Sequence, residues 1–395
     1  MAAVSPPRPA PITSTGSFVR MAGSWRNSAP PTRITAWECP DNSASRWGYQ
    51  QRDKAAMKAW EIGSITGIDG MRLAERADLV AGPGQVLVEV IAAGLNYRDL
   101  MVLEGRYGTP KPAERIPLAD GVGRIAALGE GVTGWSPGER VIAPHFSTWI
   151  DGPYSLSVFA ADLGSSADGW LAQQIVLPAA ALVRVPDAMS DLGAATVSVV
   201  AATVWHAMVA FGQVQPGELV LAQGTGGVSV FALQLAKALG AQVAITSSSD
   251  AKLARCRELG ADFTVNYHER PDWAAALLEA TGGRGADVVV DTLGFDVLGE
   301  TVAACAVNAR IGTVGALSGT PQAQAGVSQG MLIARNIAIK GIASGSRAML
   351  EAALDVIGKA GTEPVVDATF AFADAQEAYR HLAAGAHLGK IAITI

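Results

Sequence analysis

Residues 218–267 hold the feature that most restricts what this 395-residue chain can fold into. Residues 218–222 read as a buried strand. Gly224, Thr225, Gly226 and Gly227 follow as a tight turn. Residues 228–239 carry apolar side chains at helical spacing, and 242–246 is a second apolar strand. Strand, glycine turn, helix and strand make a βαβ unit, which predicts a parallel sheet with a helix packed across it. Glycines at the first turn let the backbone approach a pyrophosphate, and the helix N-terminus stabilises its charge. Gly224, Thr225, Gly226, Gly227 and Val228 are therefore expected to bind a dinucleotide. The plainer alternative is a glycine turn in a generic α/β domain.

The second strand ends in Thr246, Ser247, Ser248 and Ser249. A site selective for NAD usually places Asp or Glu at this tip, about 20 residues past the first glycine, on the ribose hydroxyls. Here hydroxyls stand instead, with Lys252 and Arg255 just beyond. A carboxylate would repel a 2′-phosphate; hydroxyls and cations attract one. NADP(H) is the expected cofactor, held by Ser247, Ser248 and Lys252. Otherwise Lys252 and Arg255 are a solvated helix face.

From about residue 187 strands and helices alternate. Strand patterns lie at 263–265, 286–291, 310–314 and 338–342, with helix patterns at 250–259, 272–280 and 295–304. This predicts a doubly wound parallel sheet with helices on both faces, an α/β fold. Residues 57–186 are β-rich instead. They alternate over 85–92, with short strands at 123–128 and 140–143 between Gly/Pro turns. After residue 345 come helices at 347–360 and 373–384 and a terminal strand at 390–395. Residues 192–216 contain no charge, yet Thr196, Ser198, Thr203, His206 and Gln213 interrupt them. They are read as a buried helix pair rather than a membrane span.

Residues 1–56 differ from the rest, with seven of the 20 prolines and a net charge of +4 against −10 for the remainder. A disordered extension is expected. An Arg- and Ser-rich transit peptide, or a true start at Met57, are the alternatives. The overall charge of −6 argues against a nucleic-acid partner. Cys39, Cys256 and Cys305 are too few and too scattered for a four-cysteine zinc lobe. They suit a reduced, cytoplasmic compartment.

The order of parts from residue 57 to 395 resembles the medium-chain dehydrogenase/reductases. The residues that carry the resemblance are Gly94-Leu95-Asn96-Tyr97-Arg98-Asp99, Gly105-Arg106-Tyr107, Asp120-Gly121-Val122-Gly123, Gly138-Glu139-Arg140-Val141, residues 224–229, Leu259-Gly260-Ala261-Asp262 and Asn266-Tyr267. The likeness is greatest to the zinc-independent, alcohol-dehydrogenase-like branch near the quinone oxidoreductases. It implies a GroES-like catalytic domain (57–186), an inserted Rossmann NADP-binding domain (187–345) and a return to the catalytic domain (346–395). Zinc-dependent relatives bind their metal through Cys, His and Cys, whose positions fall on Asn96, Ala119 and Val199 here. Zinc takes about four N, S or O ligands, so no metal is expected.

The resemblance also implies roles. Asn96 and Tyr107 lie beside the nicotinamide as donors to a developing oxyanion, with Arg98 a further candidate. Their plainer roles are a turn-stabilising Asn, a packing Tyr and an Arg98–Asp99 ion pair. Thr203 falls against the nicotinamide ring, and Lys252 and Tyr267 at the adenosine phosphate. Residues 312–315, including Gly315, and the loop 317–320 cover the nicotinamide side. Ser229 replaces the third glycine of the fingerprint and is small enough to keep helix and strand close. His145 and His206 are read as structural, and the aromatics of 145–153 as a border for an apolar substrate. Relatives often dimerise through the edge strand of the Rossmann sheet, here 338–342, so a homodimer is expected.

The expected activity is hydride transfer to or from a small or medium apolar carbonyl, alcohol or quinone. Reduction of the C=C bond of an enone or enoyl thioester is the rival chemistry. A non-catalytic NADPH-binding protein is the rival of another class.

Overall fold

The computed structural model describes residues 56–315 and 326–395. The 1–56 extension, apart from Ala56, and the loop 317–320 lie outside the described residues. The alternation after residue 187 folds into a six-stranded sheet, parallel throughout. Its order is Phe263–Asn266, Gln242–Ser247, Leu219–Gln223, Ala286–Asp291, Cys305–Thr313 and Ala338–Gly341. Leu219–Gln223 is buried along its whole length, as a strand covered by helices on both faces must be. The next strand in sequence lies on one side of it, and Ala286–Asp291 on the other. At such a reversal the carboxyl ends of the strands leave a crevice. Gly224 turns the chain there at φ 74°, where a side chain would be strained.

The β-rich region forms a seven-stranded sheet. Gln85–Gly94 is its hub and pairs antiparallel with Asp120–Leu128, Gln174–Pro178 and Lys390–Thr394. Lys390–Thr394 inserts between Val366–Ala371 and Gln85–Gly94, so the C-terminal segment returns to the first sheet. A separate ribbon pairs Ala56–Glu61 with Arg72–Ala77.

The uncharged stretch 192–216 is not a helix pair. Asp191–Val204 is an α-helix that continues directly as π-helical turns over Trp205–Phe211. Ser190 caps its start, the hydroxyl accepting the Gly193 N–H at 3.0 Å. Its polar residues do not break it because they bond to its own backbone. The hydroxyls of Thr196 and Thr203 donate to the carbonyls of Leu192 (3.1 Å) and Val199 (2.6 Å). An 18-residue window within 191–211 has a mean hydropathy of 1.7 and is 78% buried inside the protein, which makes this a core helix. It lies directly on the first sheet, since a Cβ at Gly94 would stand 2.4 Å from the Ala195 carbonyl.

Val197, Val200 and Ala201 of this helix share one core with Ala92, Val122 and Ile142 of the first sheet and Val220 and Val288 of the second. Helix Arg347–Lys359 adds Leu350, Ala353, Leu354 and Ile357 to it. The chain re-enters the first sheet only after this, at Val366–Ala371. Cys256 and Cys305 are buried, and burial pushes their thiols up to about 11 and about 12.

Candidate active site

A cleft of about 1270 Å³ runs along the carboxyl ends of the parallel strands and the edge of the first sheet. At one end are Ser247, Ser248, Lys252 and Tyr267. The glycine turn 224–227 and Val228 lie along it, and Gly315, Thr203, Asn96, Arg98 and Tyr107 also line it. These residues thus border the same cleft; of 312–315, Thr313, Val314 and Gly315 line it and Gly312 does not. Arg98, Lys252, Lys340 and Lys390 line it, and no carboxylate does among the described residues.

The phosphate turn is built closely. Ser229 is buried and its hydroxyl donates to the Gln223 carbonyl at 2.6 Å, so the serine in the third glycine position ties helix to strand. Thr292 donates to the same carbonyl at 2.9 Å. A Cβ at Gly227 would stand 2.5 Å from Cδ of Lys390, so only glycine leaves that side chain its path. The Gly389 N–H donates to the Thr225 carbonyl at 3.0 Å, which latches the C-terminal strand to the turn. At the strand tip Ser247 is buried, with its hydroxyl 3.3 Å from the Ser249 N–H. Lys252 Nζ donates to the Gly385 carbonyl at 3.0 Å. His387 lines the cleft here too, and burial, with Lys252 nearby, pushes its pKa down to about 4.

Asn96, the Asp120 carboxylate beside Ala119, and the Val199 backbone converge, and next to them lies an ammonium. Asn96 Nδ2 donates to Asp120 Oδ2 at 2.9 Å, and the Val199 N–H donates to Asp120 Oδ1 at 2.8 Å. Lys390 Nζ donates to Asn96 Oδ1 (2.5 Å), the Leu95 carbonyl (2.7 Å) and Asp120 Oδ2 (3.2 Å). Among the described residues no group of three or more His, Cys, Asp and Glu could hold a metal ion. Asp99 is fully buried beside this cluster and accepts the Asn96 N–H at 2.9 Å. Burial raises its pKa to about 6, with Arg98 opposing.

Arg98 does not depend on Asp99 alone. Its Nη1 donates to Asp99 (3.2 Å) and the Leu163 carbonyl (3.0 Å), and its Nη2 donates to both oxygens of Asp162 at 2.9 Å. With both terminal nitrogens engaged, Arg98 acts on its surroundings more than on a substrate. Its guanidinium also stacks 4.7 Å from the Tyr107 ring centre. Tyr107 is pushed up to about 12 by burial. His145 is buried and Nδ1 lies 2.7 Å from Asp162 Oδ1, while Nε2 has no partner among the described residues. His145 is therefore tied to the cleft wall through Asp162. Burial holds its pKa below the ordinary value, although Asp162 pulls it up. His206 Nδ1 donates to the Ser344 carbonyl at 2.6 Å. Phe146, Trp149, Tyr154 and Phe159 also line the cleft.

Sequence reading missed Lys390 and Asp162. Lys390 shows one local sign, a cation opening an otherwise apolar strand. Asp162 shows none, because its partners Arg98 and His145 lie 64 and 17 residues away.

A glycine turn of this geometry at the strand reversal, facing a catalytic cleft in a GroES-like sheet, defines an NAD(P)-linked oxidoreductase. The model of the zinc-binding dehydrogenase domain matches residues 227–359, and that of the alcohol dehydrogenase GroES-like domain matches 82–187. A zinc-type alcohol dehydrogenase-like protein of Schizosaccharomyces pombe is 39% identical over 84% of this chain and 97% of its own length. Acryloyl-coenzyme A reductase of Metallosphaera sedula is 32% identical over 82% of this chain and 96% of its own. The crystal structure of an NAD-dependent alcohol dehydrogenase superposes with a TM-score of 0.78 at 31% identity, covering 86% of this chain and all of that one. The chain belongs to the medium-chain dehydrogenase/reductase superfamily.

Proposed function

We propose that this is an NADP(H)-dependent, zinc-independent oxidoreductase acting on a small or medium apolar carbonyl, alcohol or quinone. One observation carries this reading: Ser247, Ser248 and Lys252 stand together at the strand tip, and no carboxylate lines the cleft among the described residues. That lining suits a cofactor bearing a pyrophosphate and a further phosphate. The resemblance to an NAD-dependent structure points the other way on the phosphate, so affinity decides between them.

The bound nicotinamide would supply or accept the hydride. Residues 224–228 would bind the pyrophosphate, Ser247, Ser248, Lys252 and Tyr267 the adenosine phosphate, and Thr203 and Gly315 the nicotinamide side. Asn96 stands closest to where a carbonyl oxygen gains charge. A fixed N–H donor there lowers the barrier by about 2.7–4 kcal/mol, because it needs no reorientation as charge develops. Tyr107 is a second donor, its hydroxyl kept protonated by burial. Arg98 holds Asp162 and so shapes the wall that carries His145. The aromatics of the far end exclude water and favour an apolar substrate.

Reduction of an activated C=C bond is the second reading, favoured by the likeness to acryloyl-coenzyme A reductase. A screen of aldehydes, quinones, enones and enoyl thioesters, followed by loss of NADPH absorbance, tests both. Turnover of carbonyls or quinones supports the first, turnover of enoyl thioesters alone the second. NADPH binding without turnover on any of them would leave a cofactor-binding protein.

A further inference from the structure

We infer that Lys390 is a positioning residue: its buried ammonium locks the Asn96 amide in the one orientation that leaves an N–H free for the substrate oxygen. The inference rests on the hydride-transfer reading above. An ammonium can only donate and a carboxylate can only accept. Asn96 lies between the two, with Oδ1 2.5 Å from Lys390 Nζ and Nδ2 2.9 Å from Asp120 Oδ2. Flipping the amide would set N–H against ammonium and carbonyl against carboxylate, so one orientation survives. The backbone is fixed as well, through the Asn96 N–H to Asp99. An amide has two N–H donors. One goes to Asp120; the other has no partner among the described residues, and Asn96 borders the cleft.

Lys390 is not placed as a cofactor phosphate ligand. All three ammonium hydrogens have protein acceptors, on Leu95, Asn96 and Asp120. Its role in charge is also local. Asp120 is wholly buried, and without the ammonium its charge would oppose an oxyanion forming beside Asn96. Burial pushes the Lys390 pKa down while Asp120 draws it back up.

A double-mutant cycle tests the lock. Asn96→Ala, Lys390→Met and the pair are compared for kcat with the best substrate of the screen and for NADPH affinity by fluorescence. Removing one donor typically lowers kcat by about 10²–10³-fold. Each single variant should fall in that range, and the pair should be no worse than the poorer single, because Lys390 acts through Asn96. NADPH affinity should stay within about a few-fold. Additive losses, or a loss confined to NADPH affinity, would overturn the inference. Lys390→Met with Asp120→Asn removes both charges, and should restore melting temperature but not kcat; recovery of kcat would also overturn it. A readout free of turnover is hydrogen exchange at the Asn96 side-chain amide by NMR. The N–H held by Asp120 should exchange slowly in the unmutated apo protein and faster in Lys390→Met. Equal exchange rates refute the lock, whereas a failed substrate screen refutes only the hydride-transfer reading.

Discussion

Arg98 and Asp162 lie 64 residues apart in sequence and meet with both Asp162 oxygens 2.9 Å from one guanidinium nitrogen. Both are nearly inaccessible, and His145 shares the same carboxylate. A buried pair of this kind contributes less than its geometry suggests, but breaking it leaves an uncompensated charge. Asp162→Asn should therefore destabilise the protein by about 3–5 kcal/mol. Urea unfolding measures this, and a change below about 1 kcal/mol would show that the wall does not depend on the pair.

Acid should weaken the fold through its histidines. Burial holds His145, His206 and His387 below the ordinary value of 6.5, His387 at about 4. A group with a depressed folded-state pKa contributes stability above its unfolded pKa and loses it as pH falls through the folded one. Asp99, raised to about 6, works in the opposite direction between about 6 and 3.8, since the folded protein binds its proton first. Melting temperature should fall from pH 7 toward pH 4. His387→Gln should flatten the slope by up to about 1.4 kcal/mol per pH unit; an unchanged slope would mean that His387 titrates normally.

Lys252 should matter for one cofactor only. If it meets the 2′-phosphate, Lys252→Ala should weaken NADPH by about 10- to 100-fold, the worth of a charged hydrogen bond, and spare NADH. Ser247→Asp should reverse the preference between the two. Calorimetric titration decides, and equal losses for both cofactors would remove the phosphate assignment.

Chelation should change nothing. Asn96, Ala119 and Val199 offer no zinc ligand set, and Lys390 bonds Asn96 and Asp120 beside them. Elemental analysis should find no stoichiometric zinc, and dialysis against EDTA should leave turnover intact. A zinc ion needed for activity would refute the metal-free reading.

Among the described residues Ala338–Gly341 is an exposed edge strand with N–H and C=O groups open on one side. Pairing of two such edges would give a homodimer with one continuous sheet. Ala338→Pro should shift sedimentation toward monomer, and a monomeric unmutated protein would exclude the pairing.

The nucleotide half was legible because glycines punctuate it. The turn at Gly224 and the strands on either side follow from local chemistry, to within one residue. The contact between Asn96 and Lys390 was not legible, since the two lie 294 residues apart. That Asp191–Phe211 is one continuous helical run rather than a pair was not legible, although Thr196 and Thr203 lie within it. Their hydroxyls bond back along the helix, and no pattern in the sequence separates that from a break.

The latch between Gly389 and Thr225 gives assembly an order. The glycine turn closes from neighbouring residues, whereas the contact between Lys390 and Asn96 closes most of the chain into a ring. Ring closure grows costlier with the logarithm of length and is reached slowly. During refolding, nucleotide capture should return before turnover. The lag between the two signals times the arrival of one lysine.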